Sequence, residues 1–368
     1  MRRMPRAVAV AAVAAVAAGV LAVVVPRVVS GTSGSGGDRH RAPASTAAGP
    51  PLRVLAQQAG IRVGTAVDSD ALAHEAPYAA KVGSEFSSVT PENVMKWGTV
   101  EPSRGRYDYT QADALVAYAE AHGQVVRGHA LVWYQQLPLW LTARDFGADE
   151  LRQILHDHIT SEVTHFKGRI WQWDVVNEAF TDDGSYRTGM WLQKLGPGYI
   201  EDAFTWAHEA DPKAVLFIND YGIESAGPKS EALYDLVAEL RKKGIPVQGV
   251  GFQGHLDTRH PAPHDLAATM ARFDALGVQT AVTEADVRIP LPSDDGEAEA
   301  QQRAYRALLD GCLRTPHCTG FTVWGFTDKH SWVPDAFRGE GEAAILDEDY
   351  RPKGAYTALA QDLRRTRR

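Results

Sequence analysis

The sequence predicts an α/β fold, a closed (β/α)8 TIM barrel in a single domain. Three observations predict it. From residue 52 onward, eight short β-branched runs alternate with longer stretches of helical periodicity. The runs are nearly continuous in apolar character, as parallel strands covered on both faces require. Polar residues recur at the C-terminal end of successive runs, where such barrels build their sites. Eight βα repeats point to closure. The competing architecture, an open doubly wound sheet, would show a glycine-rich phosphate loop after the first strand, and none is there.

The eight runs are IRVGTAV (61–67), FSSVT (86–90), QVVRGHALVW (124–133), WQWDVV (171–176), AVLFIND (214–220), VQGVGFQG (247–254), VQTAVTEAD (278–286) and CTGFTVWGF (318–326). Between them the spacing predicts helices. Thr110 and Asp113 resemble a capping pair, after which Ala112, Leu115, Val116 and Ala119 share one face. In residues 149–166, Leu151, Ile154, Leu155, Ile159 and Phe166 do the same. ALYDLVAELRKKG (232–244) is amphipathic and ends in Lys, Lys, Gly, a helix stop. The acidic run SDDGEAE (293–299) reads as a solvated loop and helix start.

The N-terminal segment differs from the rest. Arg2, Arg3 and Arg6 precede an uninterrupted apolar run, Ala7 to Val25. Residues 1–30 read as a signal peptide or a signal anchor. The Ala- and Val-rich run, followed by the small residues Ser30 and Gly31, favours a cleaved peptide. Residues 31–51, rich in Gly, Ser, Ala and Pro, read as a flexible tether. The expected location is extracellular, or the outer face of the cell membrane if the segment stays uncleaved.

The whole chain carries −8 at pH 7, with 44% hydrophobic and 23% charged residues. That balance suits a soluble globular protein and argues against a nucleic-acid partner, which would call for a basic patch. The first 51 residues hold six arginines and one acid, Asp38, so the remainder is more acidic still. Cys312 and Cys318 are the only cysteines. In an exported chain a disulfide between them is expected; the alternative is two buried thiols. Two cysteines without a CxxC pairing do not make a structural zinc site.

Two glutamates stand out. Glu178 lies near the end of WQWDVVNEAF (171–180), and Glu284 near the end of QTAVTEADV (279–287). A carboxylate at the end of a buried strand is expensive unless it has a partner or a task. The same barrel end carries Glu92, Asn93 and Lys96 after the second strand, and His129 and Trp133 on the third. Asn177 precedes Glu178, while Asp220 and Tyr221 end the fifth strand. Gln253 and His255 follow the sixth, Asp286 follows Glu284, and Trp324, Lys329 and Trp332 accompany the eighth. Paired carboxylates in such a mouth are the working groups of glycosidic bond hydrolysis. Asp220 reads as a stabiliser of the barrel rim, and Trp171, Trp191 and Trp206 as packing.

WDVVNEAF (173–180) and VTEADV (282–287) resemble the two signature segments of glycoside hydrolase family 10, the endo-β-1,4-xylanases. The resemblance runs over residues 60–362. It includes PENVMKW (91–97), GHALVWYQQLPLWL (128–141), INDYG (218–222), GVGFQGHL (249–256), FTVWGFTDKHSW (321–332) and LDEDYRPKGAY (346–356), in order. It implies a (β/α)8 catalytic domain over residues 52–368 and a retaining, two-step cleavage of xylan. Glu178 would be the acid/base and Glu284 the nucleophile. Asn177 would hydrogen-bond a sugar 2-hydroxyl, and His255 would stand between Glu284 and Asp286. Glu92, Asn93, Lys96, His129, Trp133, Gln253, Trp324 and Trp332 would line the glycone side. Cys312 and Cys318 match a disulfide of the family. The chain departs from the usual pattern at Tyr134 (commonly His), Ala285 (commonly Leu) and Gly254 (often Ser).

A retaining mechanism needs its carboxyls about 5–5.5 Å apart. Glu284 attacks ionised, and its charge, with partial burial, is expected to keep Glu178 protonated until the ester forms. The implied substrates are xylan and xylo-oligosaccharides. No cofactor, metal or protein partner is expected, and the chain is expected to be a monomer. A retaining β-glycosidase acting on β-1,4-glucan or by transglycosylation, and a non-catalytic xylan-binding protein, are the competing readings. A metalloenzyme would need an HExxH or clustered histidines, which are missing.

Overall fold

The computed structural model describes residues 49–366. The N-terminal segment (1–30) and all but the end of the tether lie outside them. Eight parallel strands close into a ring: β1 (Arg62–Val67), β2 (Ser88–Pro91), β3 (Val125–Val132), β4 (Ile170–Asn177), β5 (Val215–Asp220), β6 (Gly249–Phe252), β7 (Gln279–Pro290) and β8 (Cys318–Val323). Each pairs with the next, and β8 pairs with β1 at Arg62↔Gly320 and Val63↔Phe321. All eight runs read from the sequence are strands.

β7 continues four residues past the expected end at Asp286. There it pairs with a short strand, His255–Asp257, and with Glu340–Gly341. Val287 and Ile289 are buried in this extension while Arg288 is less so, the alternation of a strand covered on one face. The pairing His255↔Asp286 places two expected site residues side by side.

The helices form as the periodicity indicates. In Ala148–His165, Leu151, Leu155 and Ile159 are wholly buried, each contributing roughly 2 kcal/mol by leaving water. Pro228–Lys242 stops where Gly244 adopts φ +75°, which glycine reaches without steric cost. Asp294 caps Asp295–Arg314 by accepting the Glu297 N–H (2.9 Å). The expected capping pair at Thr110 is corrected. Thr110 is already the first helical residue of Thr110–Ala121, and its N–H donates to Asp108 Oδ1 (3.0 Å). A disulfide joins Cys312, in the last turn of Asp295–Arg314, to Cys318 at the start of β8.

Candidate active site

Glu178 and Glu284 stand at the same end of the barrel, each tied by its backbone to the neighbouring strand. The Glu178 N–H donates to the Asn219 carbonyl of β5 (2.8 Å), and the Glu284 N–H to the Gln253 carbonyl after β6 (2.8 Å). Side-chain amides link the two carboxyls. Asn177 Nδ2 donates to Glu178 Oε1 (3.3 Å). Asn219 Nδ2 donates to Asn177 Oδ1 (2.8 Å) and to Glu284 Oε1 (2.6 Å). Gln253 Nε2 donates to Asn177 Oδ1 (3.2 Å) and lies 3.4 Å from Glu178 Oε1. Thr283 Oγ1 donates to Asn219 Oδ1 (2.7 Å), fixing which way that amide points. Gly251 leaves room for it, since a Cβ there would come within 2.1 Å of Asn219 Oδ1.

Glu284 is nearly inaccessible, yet its surroundings favour charge. Burial alone would raise its carboxyl. Neighbouring His129, the hydrogen bond and charge of His255, and the bond from Asn219 outweigh burial and hold it at about 2. His255 Nε2 is 3.2 Å from Glu284 Oε2, and Nδ1 is 3.0 Å from Asp286 Oδ1. Burial works against a charge on His255, but Asp286 and Glu284 prevail and push it well above its ordinary value. Trp332 Nε1 holds the far oxygen of Asp286 (2.7 Å).

A second buried chain approaches Glu284 from inside the barrel. His129 Nδ1 is 3.0 Å from Asp174 Oδ2 and 3.9 Å from Glu284 Oε1. Asp174 accepts from Arg127 Nε (3.0 Å), and Arg127 Nη1 donates to Gln172 Oε1 (2.7 Å). All are buried. Buried charges persist when each has such a partner.

The depressed Glu284 carboxyl has a definite pH consequence. It stays ionised from neutral pH down through the ordinary carboxylate range and is protonated only near 2, and the stability its charge contributes is lost progressively as pH falls from the ordinary carboxylate range to that point. Replacing His255 with Asn removes the positive charge while keeping a donor. The acid limb of the kcat/KM profile is expected to move up by about 1–3 units. A limb that stayed in place would show that His255 does not govern this ionisation.

The expected sugar-contact residues gather around this centre. Lys96 Nζ lies 4.8 Å from the Trp133 ring centre and 5.7 Å from that of Trp324. Burial lowers the Lys96 pKa against the opposing pull of Glu284, Glu92 and Glu178. Burial pushes Glu92 up to about 7 despite Lys96. Asn93 Oδ1 accepts from Lys96 Nζ (3.4 Å) and Gln136 Nε2 (3.0 Å). Trp324 packs edge-on to His129 (5.1 Å), and Trp332 to His255 (5.2 Å). Trp191, expected as packing, also donates to the Trp133 carbonyl (3.1 Å) and so holds that ring's backbone.

Two further residues have side-chain partners of their own. Lys329 makes an ion pair with Glu75 (2.6 Å). Asp220 is bound by Lys229 (2.9 Å) and the Tyr221 and Phe180 N–H groups, in keeping with a rim role. Its burial pushes it up to about 7 against Lys229. Of the three departures, Gly254 has a local reason: it sits at φ +78°, and its N–H donates to buried Glu224 (2.8 Å). Ala285 is fully buried in β7, and Tyr134 is about one-third exposed beside Glu178.

The sequence reading missed Asn219, Asp174 and Arg127. Their signal was present. Arg127 and His129 alternate in an apolar run, as do Gln172 and Asp174, and polar residues at period two place one side of a strand in a polar lining. Asn219 directly precedes the rim residue Asp220. A cavity of about 700 Å³ lies at the other end of the barrel around Arg62, Trp171 and Gln279. In this fold that end serves stability, so volume alone misplaces the chemistry.

A closed (β/α)8 barrel whose C-terminal mouth holds two carboxyls joined through one amide web is the architecture of a glycoside hydrolase. The chain belongs to glycosyl hydrolase family 10, whose model matches residues 51–362. Endo-1,4-beta-xylanase B of Thermotoga neapolitana is 43% identical over 314 residues, 84% of this chain and 91% of that protein. An endo-1,4-beta-xylanase of Agaricus bisporus is 40% identical over 311 residues, covering 84% and 93%. The crystal structure of xylanase 10B from Thermotoga petrophila in complex with xylobiose superposes with a TM-score of 0.84 at 44% identity, covering 86% of this chain and 98% of that one.

Proposed function

We propose that the protein is an exported endo-β-1,4-xylanase that cleaves internal bonds of xylan with retention of configuration. The observation that carries the reading is the web joining Glu178 to Glu284, with Glu284 held ionised at about 2. Glu284 attacks the anomeric carbon while Glu178 gives its proton to the leaving glycosidic oxygen. The bond from carbon to that oxygen breaks, and a glycosyl ester remains on Glu284. Glu178, now a carboxylate, takes a proton from water, whose oxygen displaces Glu284. Lys96, Trp133, Trp324 and Trp332 border the sugars on the glycone side, the rings offering apolar faces to the C–H groups. The names of the relatives, and xylobiose in the Thermotoga petrophila structure, support xylan as the substrate. Export is supported by the N-terminal segment and by the Cys312–Cys318 disulfide, which suits an oxidising compartment.

The test is a product profile on xylan and soluble cellulose, with the anomer followed by NMR. Short xylo-oligosaccharides are expected to accumulate from xylan much faster than any product from cellulose, and the β-anomer is expected first. Comparable rates on cellulose would overturn the specificity. An α-anomer appearing first would overturn retention, and release of single residues from chain ends would overturn the endo mode.

A further inference from the structure

The loop after Glu178 returns one side chain to it. Residues 179–187 fold back as a small hairpin in which Phe180 and Tyr186 form an antiparallel bridge, Gly184 turns at φ +83°, and the Arg187 N–H donates to the Ala179 carbonyl (2.8 Å). The Arg187 side chain then reaches under the carboxylate's own backbone. Its Nε donates to the Glu178 carbonyl oxygen (2.9 Å), and its Nη2 to the Phe180 carbonyl (2.8 Å) and the Tyr221 hydroxyl (3.0 Å). The guanidinium lies over the Tyr134 ring, 4.4 Å from its centre.

This clamp falls on a strained residue. Glu178 adopts φ +57°, a left-handed conformation that is strained for a non-glycine residue and persists only where the surroundings impose it. Asn219 holds the N–H of Glu178, and Arg187 holds its carbonyl. With both sides of the residue held, the carboxyl leaves the backbone in one direction. Without Arg187 the residue can relax to negative φ and swing its carboxyl away from the bond it protonates.

We propose that Arg187 is a positioning residue for proton transfer by Glu178, acting through the Glu178 backbone rather than on the sugar. The proposal rests on Glu178 being the acid/base. The proton moves from Glu178 to the glycosidic oxygen as its bond to the anomeric carbon breaks. Arg187 exchanges no proton and keeps the donor in line. Lysine has a single point of attachment, whereas the guanidinium fork holds two carbonyls and the Tyr221 hydroxyl together.

The test measures kcat/KM for Arg187→Ala, Arg187→Lys and Glu178→Ala on aryl xylobiosides, from dinitrophenyl, which needs no acid help to leave, to phenyl, which does. Each variant is compared across substrates on one preparation, so a reduced folded fraction cancels. For Arg187→Ala the dinitrophenyl substrate is expected to react within a few-fold of wild type, and the phenyl substrate to slow by roughly 10²-fold. Arg187→Lys is expected to fall between. An equal loss across the series for Arg187→Ala, with Glu178→Ala still strongly dependent on the leaving group, would make Arg187 merely structural and overturn the proposal. A flat series for Glu178→Ala itself would overturn the acid/base assignment instead.

Discussion

Replacing Glu284 with alanine is expected to abolish hydrolysis of xylan and of aryl xylobiosides alike, by roughly 10⁵-fold or more. Glu284 is buried, held at about 2, and contacted by His255, Asn219 and His129. Each contact favours a carboxylate at this point. Alanine removes one of the carboxylates that face His255 and Lys96, and leaves no nucleophile. An activated leaving group offers no escape, because the missing step is attack on carbon rather than proton transfer. Added azide is expected to restore turnover of the dinitrophenyl substrate by entering the vacated space, giving a product of inverted configuration. Turnover of Glu284→Ala above about 1% of wild type, without azide, would defeat the nucleophile assignment.

Glu178→Ala is expected to divide the substrates. On xylan, whose leaving group is a sugar hydroxyl, kcat/KM is expected to fall by roughly 10²–10⁴-fold, the usual value of a positioned acid. On dinitrophenyl xylobioside kcat/KM should hardly change. Its kcat and KM should fall together, because the ester on Glu284 accumulates when the base that activates water is gone. Equal losses of kcat/KM on both substrates would remove the acid role from Glu178. The two glutamates therefore predict different kinetic signatures from one site, and the difference follows from their surroundings. Glu284 sits among cations and amide donors, while Glu178 is more accessible and stands on a backbone that Arg187 and Asn219 hold.

Much of this site was legible in the sequence. The eight strands, the two glutamates, and the residues beside them could be read because strand and helix periodicities are local and because a barrel sends all its strand ends to one mouth. The histidine between Glu284 and Asp286 was legible through resemblance, and the extension of β7 supplies its geometric reason, since His255 pairs with Asp286. The capping pair expected at Thr110 fails because the helix already begins there: Tyr109 is its N-cap, and Asp108 takes the Thr110 N–H. Lys329 was drawn in by its place near the eighth strand, but its side chain turns to Glu75.

The sequence by itself determined the alternation of strands and helices, and which polar residues, the two glutamates among them, the strand ends bring to one mouth of the barrel. These depend on side-chain period and on neighbours within a few residues. Only the tertiary structure decided how those carboxylates are wired. Asn219 reaches Glu284 across 65 positions, and Arg127 reaches Asp174 across 47. Arg187 reaches the backbone of Glu178 only because the hairpin at residues 179–187 folds back. Ionisation is set by distances of a few ångströms in a buried medium, where one cation or one amide shifts a carboxyl by units. Sequence spacing carries no such distances until the barrel closes.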